Sequence, residues 1–166
     1  MTVHDHLTEY DGIPVVEFGD SAAPDPVVLA ARAAEATAGV PSAAIAWAVR
    51  ASFDGPSFDE LFAGFLQAVD TEPVTHLVIG YWGASYDNHK ADPSQLLAAA
   101  APRLPGLKAI FLGDIEMEES EISWIEQSDI APLLGAYPGL ERLDVRGGSG
   151  LALAPDIEAL QARVGA

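Results

Sequence analysis

Three short apolar segments recur at a fixed interval of 33 residues, and this repeat constrains the fold more than any other feature of the chain. The segments are VTHLVIG from Val74, LKAIFLG from Leu107 and LERLDVRG from Leu140. Each segment is apolar at its first, fourth and sixth positions, and the last two of these share one face of a short strand. A weaker first unit, SAAIAWAVR, predicts that Ile45 and Trp47 occupy the fourth and sixth columns, 32 residues earlier.

A helix-like stretch precedes each of the three strands. SFDELFAGFLQAVD begins with Ser57 and a glutamate at capping-box spacing, and DPSQLLAAAAPRL begins with Asp92 as the helix cap. In SDIAPLLGAY, Ser128 is the expected cap, and Pro132 is tolerated because it falls in the first turn. A strand and a helix that alternate at a fixed period predict an α/β solenoid, in which a parallel sheet is backed by helices.

With this period the chain resembles the leucine-rich-repeat superfamily over about residues 42–153, and LKAIFLG and LERLDVRGGSGL carry the likeness. More narrowly, VTHLVIGYWG, IFLGDIEMEESEISWIEQSDIAPLL and RGGSGL look like a little-characterised family of bacterial cytoplasmic leucine-rich-repeat-like proteins, here in a short form. The resemblance implies a horseshoe fold and no established enzymatic activity. The Asn or Cys of ordinary repeats at position nine is replaced by Trp82, Ile115 and Gly148, so the turning backbone needs other hydrogen-bond partners.

The repeats divide one expected domain, residues 1–166, into three parts. Residues 1–40 form an N-terminal cap, in which IPVVEF is a strand that pairs with the segment around Leu7. Residues 41–153 hold the repeats, and residues 154–166 form a C-terminal helix. That helix either caps the solenoid or leaves its last edge open to a partner, a second copy of the chain included.

Charge and cysteine content limit the functions open to the chain. With 8 Lys and Arg against 25 Asp and Glu, the formal charge is −17, which disfavours nucleic acid and anionic membranes as partners. The absence of cysteine excludes disulfides, thiolate catalysis and Cys-ligated zinc. The polar N-terminus and the lack of any apolar run near ~18 residues predict a cytoplasmic protein, and no cofactor is expected.

An acidic run follows the second strand of the repeat. Within eight positions it carries Asp114, Glu116, Glu118, Glu119 and Glu121. Carboxylates are calcium and magnesium ligands, but an EF-hand loop needs glycine at its sixth position and glutamate at its twelfth. These positions hold Glu119 and Ile125, so the motif fails. The run therefore predicts a solvated or partner-facing loop, and metal-assisted hydrolysis by residues 114–121 is the alternative.

The residues between the apolar strand positions are expected on the concave face, which is the usual binding surface of a solenoid. Phe111 is flanked there by arginines that contact a partner or pair locally with Asp144 or Asp114. The candidate binding residues of this face and of the loops on its rim are Tyr81, Tyr86, His89, Phe111, Asp114, Glu118, Glu119, Arg142, Asp144 and Arg146. The expected function is non-catalytic binding of a protein or peptide, with the hydrolase and a self-associating structural protein as alternatives.

Overall fold

The protein has a mixed α/β fold built on one curled six-stranded sheet that forms a half-barrel. The computed structural model describes residues 6–18, 38–40, 44–51, 57–83, 92–115 and 130–146, and the account below concerns these residues. The strands are β1 (Glu9–Tyr10), β2 (Ile13–Phe18), β3 (Ala46–Val49), β4 (His76–Ile79), β5 (Ala109–Leu112) and β6 (Arg142–Val145). They follow one another across the sheet in chain order; β1 and β2 are antiparallel, and β2 to β6 are parallel.

The first two strands form a hairpin with a two-residue turn at Asp11 and Gly12. Their φ angles are 54° and 75°, the left-handed values that a type I′ turn requires. The Val15 N–H donates to the Thr8 carbonyl at 2.9 Å, just beyond the Glu9–Pro14 pair. The prediction of an N-terminal strand that pairs with the segment near Leu7 is therefore confirmed, and β2 continues the sheet beside β3.

The register of β4, β5 and β6 confirms the 33-residue repeat. Leu77 pairs with Ile110, which pairs with Leu143, and the sixth-position residues are aligned in the same way. The prediction for the first unit is wrong by two residues, because Trp47 pairs with Leu77, a step of 30 residues instead of 32. A shift of two residues keeps every side chain on its own face, so the apolar pattern alone did not distinguish the two registers.

The main core lies between the sheet and its helices. The helices are α1 (Phe58–Ala68), α2 (Pro93–Ala99) with a 3₁₀ turn at Ala101–Arg103, and α3 (Ala131–Ala136). The fourth- and sixth-position side chains of the strands pack in one cluster with the apolar side chains of these helices. The longest helix has 11 residues, and no helix in the described ranges has the length and apolar character needed to cross a membrane.

Helix starts follow the sequence signals in two of three cases. The Glu60 carboxylate accepts from the Ser57 N–H at 3.2 Å, and Asp92 accepts from the Gln95 N–H at 3.2 Å. The prediction of Ser128 as the cap of α3 is wrong, because the helix begins at Ala131 with Ile130 as its N-cap. Pro132 lacks an N–H and fits only the first turn, so it fixes the start of the helix close to itself.

Position nine of the repeat, which holds Asn or Cys in ordinary leucine-rich repeats, is occupied here by core side chains. Trp82 and Ile115 are both 4% exposed and belong to the main core, while Gly148 lies outside the described residues. The turn after β5 is held by other groups: the N–H groups of Gly113 and Asp114 donate to the Ile79 carbonyl at 2.9 and 2.8 Å. The Arg146 guanidinium donates to the Ile115 carbonyl at 3.2 Å, and so supplies a donor where an asparagine ladder is missing.

Candidate binding site on the inner face of the sheet

The face of the sheet opposite the helices, here called the inner face, carries a second, smaller cluster of side chains. It is lined by Ala46, Ala48, His76, Val78, Ala109, Phe111, Arg142 and Asp144 from the strands. Arg50, Gly80, Gly113 and Arg146 follow the four strands β3 to β6 at equivalent positions. Because β3 contributes only alanines to this face and β5 contributes one, there is room above the sheet for a further segment of chain.

Residues 6–11, here called the N-terminal strap, lie across this face. The Tyr10 ring packs edge-on against Phe111 and His76, with ring centroids 5.8 and 6.0 Å apart. Its hydroxyl donates to Asp144 at 2.8 Å, and the Arg142 guanidinium lies 5.1 Å from the centre of the ring. Tyr10 is 3% exposed, so this one side chain is enclosed by groups from β4, β5 and β6.

The main chain of Leu7 is held at both of its polar groups. Its N–H points at the two carboxylate oxygens of Asp114, each 3.2 Å away, and its carbonyl accepts from the Arg50 guanidinium at 3.0 Å. Neither contact involves the leucine side chain. The leucine side chain itself packs against the apolar cluster of the inner face, so this residue is held by its side chain as well as by its backbone.

Arg50 and Asp114 form a buried ion pair beneath the strap. Nε and Nη2 of Arg50 lie 2.9 and 2.6 Å from one oxygen of Asp114, and the exposed fractions of the two side chains are 5% and 0%. Gly80 makes this possible, because a Cβ at that position would stand 2.3 Å from Cγ of Arg50. At Gly113, where φ is +109°, a Cβ would stand 2.8 Å from the Arg146 carbonyl. The two glycines let the flanking arginines fold inward over the central strands.

A continuous row of polar groups ties Asp11 to the sheet. One Asp11 oxygen lies 2.9 Å from Nε2 of His76, and the other accepts from Arg142 at 3.0 Å. Arg142 also donates to Asp144 at 2.6 Å. The hydrogen bond with His76, together with the Arg142 charge, lowers the pKa of Asp11, and the hydrogen bond with Asp144 raises the pKa of Arg142. Tyr10 and Asp11 are therefore attached to β4 and β6 through one network.

Tyrosine ionisation gives a measurable test of this packing. Burial, and after it the Asp144 charge, raises the pKa of Tyr10, and burial raises that of Tyr137. The folded state therefore retains protons that the unfolded state loses above pH ~10, so stability is fully present below that pH and declines as the pH rises. We expect Tyr10→Phe to flatten this decline by up to about 1.4 kcal/mol per pH unit. Urea unfolding between pH 8 and 11 measures the slope; identical slopes in the two proteins would contradict the buried hydroxyl.

The arrangement is suited to holding a ligand by hydrogen bonds and charge. Thr75, His76 and Asp11 do form a hydroxyl–imidazole–carboxylate row, with Oγ1 of Thr75 2.8 Å from Nδ1 of His76. However, Asp11 also pairs with Arg142, so these residues serve to attach the strap to the sheet. Within the described ranges, no three His, Asp or Glu side chains are grouped closely enough to hold a metal ion. Asp114, the described member of the acidic run, is bonded to Arg50.

The structure brings together five of the candidate residues on the inner face: Phe111, Asp114, Arg142, Asp144 and Arg146. Of these, Arg142 and Asp144 pair with each other, as the alternative of local pairing predicts. Tyr81 is 4% exposed and lies in the main core, away from any open rim. Tyr86, His89, Glu118 and Glu119, together with RGGSGL beyond Arg146 and the C-terminal helix at 154–166, lie outside the described residues.

Five residues of the site are absent from the candidates that the sequence supplied: Leu7, Tyr10, Asp11, Arg50 and His76. A signal existed for Arg50, because the correct 30-residue step puts it in the column of Gly80 and Gly113. The Asp-Gly pair is a hairpin signal, and it predicts the turn. Nothing local predicts that the hairpin lies over β4 to β6.

Comparison with known proteins yields little beyond the fold. No family model and no curated protein sequence matches the chain. The chain is similar to the crystal structure of a Bacteroides fragilis protein determined as a structural genomics target, with 31% identity and a TM-score of 0.51. The likeness covers 57% of this chain and 26% of that protein. This chain therefore corresponds to about a quarter of that protein's length.

Proposed function

We propose that this chain is a non-catalytic module that binds an extended peptide segment on its inner face, and that its scaffold is a short leucine-rich-repeat-like solenoid. The uniform 33-residue offset between β4, β5 and β6 supports the scaffold, because each strand presents equivalent positions beside the last. In such a stack, one face carries the core and the other carries a row of variable side chains. Here the variable face holds Phe111, the arginines and Asp144.

The observation that carries the proposal is the way in which the inner face holds residues 6–11. It holds one backbone unit by both polar groups, encloses one aromatic ring and pairs with one carboxylate. Main-chain contacts combined with pockets for selected side chains are the usual means of recognising an extended peptide. The same groups are able to hold a segment that another protein supplies.

The charge distribution fits a peptide ligand with acidic character. The chain has eight Lys and Arg in total, and three of them, Arg50, Arg142 and Arg146, border this face. The rest of a protein with net charge −17 repels acidic ligands, so the arginines favour this one surface for them. Arg142 has the most accessible charge of the three, because its side chain is 43% exposed whereas Arg50 and Arg146 are buried.

Peptide display against the immobilised full-length protein tests the proposal. We expect selection from a random library to yield peptides that bind the parent, and to lose at least about tenfold in affinity on Arg142→Glu. The charge reversal places a carboxylate beside Asp144 and repels acidic side chains from the face. Lys108→Glu is the matched control, because Lys108 is exposed, precedes β5 and makes the same change of charge. Peptides that bind both variants as they bind the parent would show that the inner face is not the site.

A further inference from the structure

We propose that the N-terminal strap is an internal mimic of the ligand, and that the partner is an extended peptide segment with an unmodified tyrosine followed by an acidic residue. This inference rests on the proposed function and specifies which peptide the inner face accepts. In the protein alone, residues 6–11 occupy the place of that segment and compete with it. Binding therefore exchanges one strand for another of the same chemistry.

The first element of recognition is a backbone unit three residues before the tyrosine. Asp114 accepts the N–H of Leu7 while Arg50 donates to its carbonyl. The two side chains also bond to each other, with Nε and Nη2 of Arg50 2.9 and 2.6 Å from Asp114, and this pairing keeps the donor and the acceptor side by side. When the strap leaves, an incoming backbone in the same extended conformation restores both hydrogen bonds, whereas other ligands leave buried polar groups without partners.

The second element is the tyrosine. Its ring has edge-on contacts with Phe111 and His76, and its hydroxyl donates to a carboxylate of Asp144. A phenylalanine fills the same space but leaves that carboxylate without one donor. A phosphotyrosine places negative charge against Asp144, so phosphorylation is expected to abolish binding. The site therefore distinguishes tyrosine from both of its near relatives.

The third element is an acid at the next position. Asp11 accepts from Arg142 and lies 2.9 Å from the imidazole of His76, in a network that includes Asp144. Its side chain is 44% exposed, so the pairing adds direction and charge preference more than affinity. Together the three elements describe a segment of the form X-x-x-Tyr-acid, where X is held by its backbone and, as leucine, also packs its side chain against the apolar cluster of the inner face.

The strap is paired with β2 over a short stretch of backbone, which favours exchange. Its strand, β1, has two residues, and Thr8 and Glu9 are exposed. The main core, on the other face of the sheet, contains no residue of the strap. Loss of the strap therefore leaves the helices and the packed side of β2 to β6 in contact with one another.

A labelled peptide with the sequence of residues 5–12, Asp-His-Leu-Thr-Glu-Tyr-Asp-Gly, tests the exchange by fluorescence anisotropy with three full-length proteins. These are the parent, Tyr10→Ala, which removes the ring of the strap, and Asp11→Gly, which keeps the left-handed turn but removes the contacts with His76 and Arg142. We expect both variants to bind the peptide about tenfold more tightly than the parent, because a face occupied by its own strap has a lower apparent affinity. Peptides with phenylalanine or phosphotyrosine at the sixth position should bind the variants more weakly, the phosphopeptide least.

Circular dichroism melting of each variant shows whether it is folded, and Asp11→Gly decides the question if Tyr10→Ala is not. Equal binding to parent and variants would overturn the inference, because the strap would not be a competitor. Absence of peptide binding to a folded variant would overturn it as well. If display-selected peptides still depend on Arg142 in that case, the proposed function stands without the mimic. If they do not, both proposals fail.

Discussion

Replacing Ile110 by aspartate is expected to cost about 4 kcal/mol or more of unfolding free energy, a large part of the total for a domain of this size. Ile110 is completely buried in β5, between Leu77 and Leu143 of the neighbouring strands. The carboxyl group has to be buried in an apolar core, either charged or with its pKa raised, and the cavity left by the lost methyl groups adds to the cost. Urea unfolding followed by circular dichroism measures the loss.

Two matched variants separate the effect of position from that of chemistry. Ile110→Val removes one methylene at the same site and should cost about 1 kcal/mol. Lys108→Asp introduces the same carboxylate two residues earlier, at an exposed position, and should change stability by no more than about 0.5 kcal/mol although it also removes a positive charge. If Ile110→Asp unfolds at the same urea concentration as the parent, the fourth column of the repeat does not face the core.

The register of β4, β5 and β6 could be predicted from the sequence because three units repeat the same pattern. Three units carry apolar residues in the same columns, so a misalignment of β4, β5 or β6 would bury polar residues in several places at once. The first unit has no such constraint. Ile45, Trp47 and Val49 are all buried and alternate regularly, so either of two registers satisfies the apolar pattern. Because of this ambiguity, the sequence did not identify Arg50 as a residue of the inner face.

The strap was beyond sequence reasoning for a different reason. Its contacts join residues more than one hundred positions apart: Leu7 with Asp114, and Tyr10 with Asp144. They are single polar contacts outside the repeat, so no periodic pattern marks them. The sequence nevertheless predicted the composition of the inner face, because the positions between the apolar ones placed Phe111, Asp144, Arg142 and Arg146 on one surface. The sequence thus predicted which side chains share the inner face but not the strap that lies across it.

Asp114 is another residue whose contacts in the fold differ from those that the sequence suggested. Within the sequence it begins an acidic run, and it is naturally grouped with the carboxylates that follow it. In the fold it follows β5 and turns inward to Arg50, which follows β3. Its neighbours in the sequence led to the prediction that Asp114 lies in a loop. In the fold it belongs instead to a buried ion pair with Arg50. Its contribution to stability is therefore expected to be unlike that of a solvated acid.

Removal of the Asp114 carboxylate is the second change with a large expected effect. In Asp114→Ala, the Arg50 guanidinium stays buried and, among the described residues, keeps the Leu7 carbonyl and a distant Glu17 carboxylate, 3.9 Å away. Leaving one member of a buried pair without its partner costs about 3–5 kcal/mol, whereas replacing both members by apolar groups costs much less. We therefore expect Asp114→Ala to be strongly destabilising and the double variant Arg50→Met, Asp114→Leu to recover most of that loss.

A double-mutant cycle in urea, repeated at 1 M NaCl, distinguishes this pair from an ordinary surface ion pair. The coupling between Arg50 and Asp114 should persist at high salt, because buried charges are screened much less than exposed ones. The coupling between Asp11 and Arg142, whose side chains are 44% and 43% exposed, should largely disappear. A double variant as unstable as Asp114→Ala would mean that these side chains are needed for more than pairing with each other. It would then point to the backbone of Leu7, which both of them hold, as the contact on which the inner face depends.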